Sequence, residues 1–272
     1  KDMILVADSG STNTEWRLID GDKIIRFQSI GLNPHILNGD IILENIKNLF
    51  FPFNLIKKIF FYSSGCGQNN QKKNMSILLQ SLFVNASVYV YSDLLAAARS
   101  LLNNNDGNIA ILGTGSNIAY YKNKIVYPFM MSTGYLIGDD GSGNSLGKRF
   151  LKSYFNGDFD IEITHKVGQN KQKILNELYN HPMPNRYLAS FAKIIFENKN
   201  HPQISELIKL NFEEWIENCL LPFGIKNISL CGSISFYFSS EIKKCCDNYQ
   251  IKIMKVIEKP IDDLVLFHKN YD

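Results

Sequence analysis

The feature that most constrains this chain is a repeat. Residues 3–29, MILVADSGSTNTEWRLIDGDKIIRFQS, read as a buried strand, a turn of small residues, an alternating strand, an Asp20-Gly21 turn and a third strand. About 105 residues later, NIAILGTGSNIAYYKNKIVY reads the same way, around a Lys-Asn-Lys turn. One such meander is cheap to find by chance. Two, each opening half of the chain, predict duplicated lobes. A length of 272 residues agrees, because single cores stop growing near about 250–300 residues.

Between the two meanders the pattern alternates. A helical segment near 40–50 is followed by a strand through 57–65, a helix over 71–84, a strand over 87–93 and an Ala/Leu-rich helix over 94–102. Strands alternating with helices predict an α/β sheet. The polar run NNNDGN at 103–108 is the candidate boundary, dividing a lobe over 1–105 from one over 106–258. The second half is mainly helical, at 143–156, 171–179, 185–198 and 203–220. It closes with a strand, a Gly-Ser turn and a helix in KNISLCGSISFYFSSEIKKCC, then a short strand over 251–256. An amphipathic helix after Pro260, about 259–272, is expected to pack back on the first lobe.

Composition narrows the partners. The balance of 29 basic and 26 acidic residues gives +3 with no long like-charge run, which implies neither nucleic acid nor a membrane surface. No apolar stretch approaches the roughly 20 residues of a membrane span, and KDMILVADSG lacks the apolar core of a signal peptide, with Met3 expected as the natural start. Five unpaired cysteines, Cys66, Cys219, Cys231, Cys245 and Cys246, favour buried thiols in a reducing cytoplasm. The histidines, His35, His165, His181, His201 and His268, form no zinc-type pair.

Several loops can carry chemistry. Asp8-Ser9-Gly10-Ser11-Thr12-Asn13 is either a hairpin loop whose amides Asp8 satisfies, or a concavity of amides and hydroxyls for phosphate with a carboxylate able to hold Mg²⁺. It leads into a strand and lacks the Walker spacing, so it is not a P-loop. Gly113-Thr114-Gly115-Ser116-Asn117 is its counterpart. Asp93 reads as a helix N-cap or as a general base at the carboxyl end of a strand. In GDDGSGNSLGKRF, 138–150, Asp139 or Asp140 caps a helix, or the free amides at the helix start meet a phosphate or sugar hydroxyls. Asn33, in GLNPH, reads as a turn residue or as a ligand of vicinal hydroxyls.

In this order, DSGSTNTEW, SDLLAAAR, GTGSN, GDDGSG and CGSISF resemble the acetate and sugar kinase, Hsp70 and actin superfamily, most closely its N-acetylglucosamine kinase branch and the related BadF/BadG-type ATPases. The resemblance spans essentially the whole chain. It implies two ribonuclease H-like, actin-like ATPase lobes with a cleft between them, closing on ATP, Mg²⁺ and a small amino sugar in the cytoplasm. A homodimer is left open.

Position by position, the resemblance implies Asp8 near Mg²⁺, and Ser9, Gly10, Ser11, Thr12 and Asn13 as the first phosphate loop. Gly113, Thr114, Gly115 and Ser116 would form the second, and Gly232 and Ser233 the adenosine loop. Asp93 would be the catalytic base. Asn33, Ser64, Gly65, Asp93, Gly134 and Asp139 would contact the sugar.

The chain also departs from the pattern. Asp140 is shorter than the usual glutamate, and Asn13 stands where many relatives carry lysine. Cys66 is isolated, unlike the interface cysteines of iron–sulfur dehydratase activators. The expected activity is transfer from ATP to the sugar 6-hydroxyl. An ATPase that drives a partner enzyme and a non-catalytic sugar sensor are the rivals, the latter without a helix-turn-helix segment ahead of residue 3.

Overall fold

The computed structural model describes residues 2–34, 37–168 and 170–271. His35 and the outer limits of the predicted lobes at residues 1 and 272 lie outside the described residues. Two compact units are present, one of Lys1–Asn105, Asn123–Val126 and Lys259–Asp272, the other of Asp106–Lys122 and Tyr127–Glu258.

The first unit runs β1 (Met3–Ser9), β2 (Asn13–Asp20), β3 (Lys23–Ile30), α1 (Gly39–Lys47), β4 (Ile56–Ser63), α2 (Asn69–Leu82), β5 (Ser87–Ser92) and α3 (Asp93–Leu102). Its sheet has the order β3-β2-β1-β4-β5. The meander is antiparallel, and β1, β4 and β5 are parallel. The strand β1 is apolar without alternation because both of its faces are covered. Leu5 and Ala7 join Trp16, Leu18, Ile59 and Phe61 in a core closed by Ile42 and Ile46 of α1 and by Met75 and Leu79 of α2. Val6 faces the other way, with Ile19, Phe60 and Tyr62.

The second unit repeats the plan with β6 (Gly107–Leu112), β7 (Ser116–Lys122) and β8 (Ile125–Pro128), the first two residues of β8 being counted with the first unit. Next come α4 (Gly134–Ile137), α5 (Gly143–Asn156), α6 (Ile161–Val167), α7 (Lys171–Asn180), α8 (Pro184–Ser190), α9 (Ala192–Glu197) and α10 (Pro202–Trp215). It ends with β9 (Asn227–Cys231), α11 (Ser233–Tyr237), α12 (Ser239–Asn248) and β10 (Lys252–Ile257). Its sheet order, β8-β7-β6-β9-β10, matches that of the first strand for strand. The repeat in the sequence is therefore a repeat of topology. The fold class is α/β, with two mixed five-stranded sheets of the actin-like ATPase kind.

Two helices differ from the sequence reading. The segment 185–198 is split because the Phe191 amide bonds the Leu188 carbonyl only three residues back, which tightens the turn between α8 and α9. The segment 203–220 is α-helical only to Trp215, then passes through a π turn over Ile216–Leu220 and a 3₁₀ turn over Leu221–Phe223. Pro222 has no N–H to extend the ladder.

The chain ends in α13 (Ile261–Tyr271), which belongs to the first unit. Ile261, Leu264 and Val265 close the core around Val6 and Phe60. Arg17 Nε donates to Asp262 Oδ1 at 2.8 Å, and Ser100 Oγ donates to the Pro260 carbonyl at 3.0 Å. No helix among the described residues is long and apolar enough to cross a membrane.

Candidate active site

In the first unit, register brings the candidate residues to one edge of the sheet. Ser9 pairs with Ser63, and Ser63 with Ser92, so the last residues of three parallel strands lie in a row. Asp8 precedes the row by one residue, while Ser64-Gly65 and Asp93 follow it. Asn33 joins them, because a Cβ on Gly65 would collide with its Oδ1. Ser64 Oγ is buried without a hydrogen-bond partner among the described residues, an acceptor and donor held ready at this edge.

The turn after β1 divides into a sealed base and an open tip. Ser9 Oγ, 0% exposed, accepts from Thr14 Oγ1 at 2.9 Å and from the Leu32 amide at 2.9 Å. That hydroxyl anchors the 31–33 loop onto the turn, and the Gly31 amide also donates to the Thr12 carbonyl at 2.8 Å. Gly10 N bonds Asn13 O at 3.0 Å, whereas the Ser11 and Thr12 amides make no hydrogen bond among the described residues.

Asp93 is neither the cap of α3 nor the end of β5. Ser92 is the N-cap, its side chain accepting from Leu95 N, and this frees the Asp93 carboxyl. The carboxyl accepts from Leu94 N at 2.8 Å. Burial holds its pKa above the usual aspartate range, against the lowering effect of that amide. Asp8 is pushed up to about 7, first by burial, then by the negative charges of Asp93 and Glu15, with Lys259 opposing.

Glu15 and Lys259 are the site residues that sequence reasoning missed. Glu15 lies opposite Asp8 in the β1–β2 register, and Lys259 Nζ donates to Glu15 Oε1 at 2.8 Å. Burial works to raise Glu15, but the hydrogen bonds and charges of Lys259 and Arg17 carry it below its ordinary value. Lys259 therefore brings a cation beside the first turn from the far end of the sequence. No local signal in KPIDD announces it.

Asp8 also yields a pH prediction. Its pKa of about 7 stands above the unfolded value of 3.8, so the folded state holds this proton more tightly. The stability it contributes is full below 3.8 and is lost as pH rises toward 7. Asp8→Asn should raise the Tm at about pH 8, by up to about 4 kcal/mol in stability, and give no gain near about pH 4. Calorimetry at the two pH values checks this, and an equal effect at both would contradict it.

In the second unit the row is Ile111, Cys231 and Ile257. Beyond it lie Gly113 to Ser116 and the Gly232-Ser233 turn, where Gly232 N bonds Ile257 O at 3.0 Å. A Cβ on Gly232 would strike the Leu112 carbonyl and lie 3.2 Å from Gly113 N, so the two turns lie backbone against backbone.

The amides at the start of α5, which the sequence reading left free for a ligand, are spent within the unit. Gly143 N bonds Gly113 O at 2.8 Å, Asn144 N bonds Thr114 O at 3.1 Å, and Ser145 N bonds its N-cap, Ser142 Oγ, at 3.2 Å. Neither Asp139 nor Asp140 caps this helix. Asp139 Oδ1 accepts from Ser116 N at 3.1 Å and Oδ2 from Asn144 Nδ2 at 2.9 Å, while Asp140 Oδ2 accepts from Asn218 Nδ2 at 3.0 Å. Gly134 opens α4 at a φ of 71°. The Thr114 and Gly115 amides make no hydrogen bond among the described residues.

These features define a class before any comparison is made: a duplicated actin-like α/β fold with an acidic strand edge in one unit and a small-residue turn pair in the other. Neither a protein-family model nor a curated protein matches the chain. Solved structures do. A structure from Porphyromonas gingivalis named as a putative N-acetylglucosamine kinase is 27% identical, with a TM-score of 0.93 over 99% of both chains. One from Chromobacterium violaceum with the same designation is 16% identical, with a TM-score of 0.73 over 98% of both. A ROK family glucokinase from Streptomyces griseus, in complex with glucose and AMPPNP, is 12% identical, with a TM-score of 0.57 over 98% of both.

Proposed function

We propose that the chain is an ATP-dependent kinase acting on the 6-hydroxyl of N-acetylglucosamine or a related amino sugar. One observation carries the reading: Asp93, freed by the Ser92 cap and desolvated, stands at the same end of the sheet as the Asp8 turn and the Ser64-Gly65 turn. Two fold neighbours named for N-acetylglucosamine and one holding glucose with AMPPNP support it.

The residues fit a nucleotide. The cradle at Gly232 is one that a Cβ would fill, and it lies against the turn whose Thr114 and Gly115 amides have no partner among the described residues. Amides in such a turn take phosphate oxygens. Mg²⁺ fits as well. Asp8 is a buried acid repelled by Asp93 and Glu15, and it gains from a cation. Among the described residues no three His, Cys, Asp or Glu side chains gather to hold a metal alone. Such an ion is bound by one or two carboxylates together with substrate phosphates and water. Asp8 would hold it, and bound there it would supply charge neutralisation to the phosphates.

The chain's own groups do the rest. Asn33, Ser64 and Gly65 orient the sugar so that its 6-hydroxyl meets Asp93. As that oxygen bonds to the γ-phosphorus and the bond to the bridging oxygen breaks, Asp93 takes the hydroxyl proton and ADP leaves. A pKa raised by burial makes Asp93 a better acceptor near neutral pH than an exposed aspartate. The Ser11 and Thr12 amides and the Lys259 charge stabilise phosphate oxygens, the main requirement of phosphoryl transfer.

The test is a coupled assay of ADP release across N-acetylglucosamine, N-acetylmuramic acid, glucosamine and glucose. ADP release stimulated by an amino sugar, with a 6-phosphate product by mass, is the expected result. Hydrolysis that no sugar stimulates overturns the reading.

A further inference from the structure

Asp139, placed by resemblance among sugar ligands, also makes bonds inside the second unit. Each of its carboxylate oxygens accepts one bond inside the second unit, Oδ1 from the Ser116 amide and Oδ2 from Asn144 Nδ2. Its carboxylate also lies flat against Gly115, where a Cβ would come within 2.9 Å of Oδ2 and 3.1 Å of Oδ1. Asp139 adopts the left-handed backbone, φ 62°, to reach this position. Three successive features of the second turn, the Thr114 carbonyl, the Gly115 α-carbon and the Ser116 amide, thus meet Asp139 or its partner Asn144.

Asn144 is the other half of the device. It is 0% exposed, and its Nδ2 donates to both the Thr114 carbonyl and Asp139 Oδ2, each at 2.9 Å. Two acceptors on one side fix the amide's orientation, because a flipped group would set its oxygen against a carbonyl and a carboxylate. Asn144 Oδ1 is left buried without a hydrogen-bond partner among the described residues. An unpaired buried acceptor costs stability, and an apolar side chain would avoid that cost. The asparagine is therefore present for what its NH₂ group does to the turn.

We infer that Asp139 and Asn144 form a positioning pair that sets the Thr114–Ser116 turn to receive phosphate, so that they govern nucleotide binding. The inference rests on the kinase reading for its ligand. Its consequence is separable from catalysis, because the pair acts on the ground-state affinity of the nucleotide whether or not a sugar is phosphorylated.

Asp139→Asn keeps the shape of the side chain but points an NH₂ at the Asn144 NH₂. Asn144→Asp sets a carboxylate against Asp139 and the Thr114 carbonyl. The exchange of both residues restores a donor and acceptor between positions 139 and 144 and returns the net charge. Calorimetric binding of the magnesium complex of AMPPNP, and separately of N-acetylglucosamine, is measured for the wild type, both single variants and the exchange. Amide exchange at Ser116 is followed in parallel.

Each single variant is expected to weaken AMPPNP by about tenfold or more, the effect of one hydrogen bond to a charged group. In Asn144→Asp sugar affinity stays within about twofold of wild type; in both single variants Ser116 exchanges faster, and the double exchange recovers part of the AMPPNP loss. Weakened sugar with unchanged AMPPNP overturns the inference and returns Asp139 to the sugar. Unchanged affinities for both ligands, or an exchange variant no better than the product of the singles, also overturn it. A wild type that binds AMPPNP but phosphorylates no sugar sinks the proposed function and leaves these comparisons standing; a wild type that binds no AMPPNP sinks both.

Discussion

Asp93→Asn is expected to lower kcat by about 10² to 10⁴ while leaving the affinity for ATP within about twofold. The size follows from the role: a positioned base contributes that much, and asparagine cannot accept the hydroxyl proton. The local structure makes the test clean. Asparagine keeps an oxygen to accept from Leu94 N, and the start of α3 does not depend on the change because Ser92 is the cap. Removing a desolvated charge also leaves the fold at least as stable. Ser92→Ala is the control. It removes the cap, at a cost of about 1 kcal/mol in stability, without touching the acid. Rate measurements with thermal melts on both variants separate the effects. Near-normal turnover in Asp93→Asn would remove the acid from the mechanism.

The parts of this site that could be read in the sequence are those carried by local pattern. The two meanders, their small-residue turns and an aspartate between strand and helix each sit within about a dozen residues, so periodicity and turn chemistry expose them. The strand order then follows from repetition. What stayed hidden depends on approach between distant segments. Lys259 meets Glu15 only because α13 returns to the first unit, a pairing across 244 residues. The amides opening α5 look free in GDDGSGNSLGK, and only the packing of Gly113 and Thr114 against them shows they are spent. Ser9 looks like one more phosphate hydroxyl until Leu32 and Thr14 are seen bonded to it. Polar side chains in a turn advertise hydrogen-bonding capacity but not its recipient, and in this chain the protein itself takes much of it.

Gly232→Ala is the substitution expected to couple stability to nucleotide binding most strongly. Gly232 sits at φ 122° and ψ 162°, a region open essentially to glycine alone, where a side chain costs about 1–3 kcal/mol before any contact is counted. Its Cβ would also strike the Leu112 carbonyl and lie 2.7 Å from the Leu112 carbonyl carbon. The obstruction is backbone on a central strand, which cannot swing aside as a side chain would, so the turn itself has to move. It is joined to β10 by the bond from Gly232 N to Ile257 O, and the added Cβ would stand only 3.2 Å from Gly113 N. Displacing it disturbs the Gly232-Ser233 turn and the Gly113–Ser116 turn, the proposed adenosine and phosphate turns, together. A loss of roughly 2–4 kcal/mol in unfolding free energy and at least about a tenfold loss in AMPPNP affinity are expected. Gly113→Ala separates the two consequences. Among the described residues nothing lies within 4 Å of its Cβ, and its φ is not positive, so stability should change by less than about 0.5 kcal/mol. If the Gly113 backbone approaches phosphate, affinity still falls. Denaturant titration and calorimetric binding on the two variants read both quantities, and a Gly232→Ala protein with wild-type stability and affinity would show that the turn is neither confined nor part of the nucleotide site.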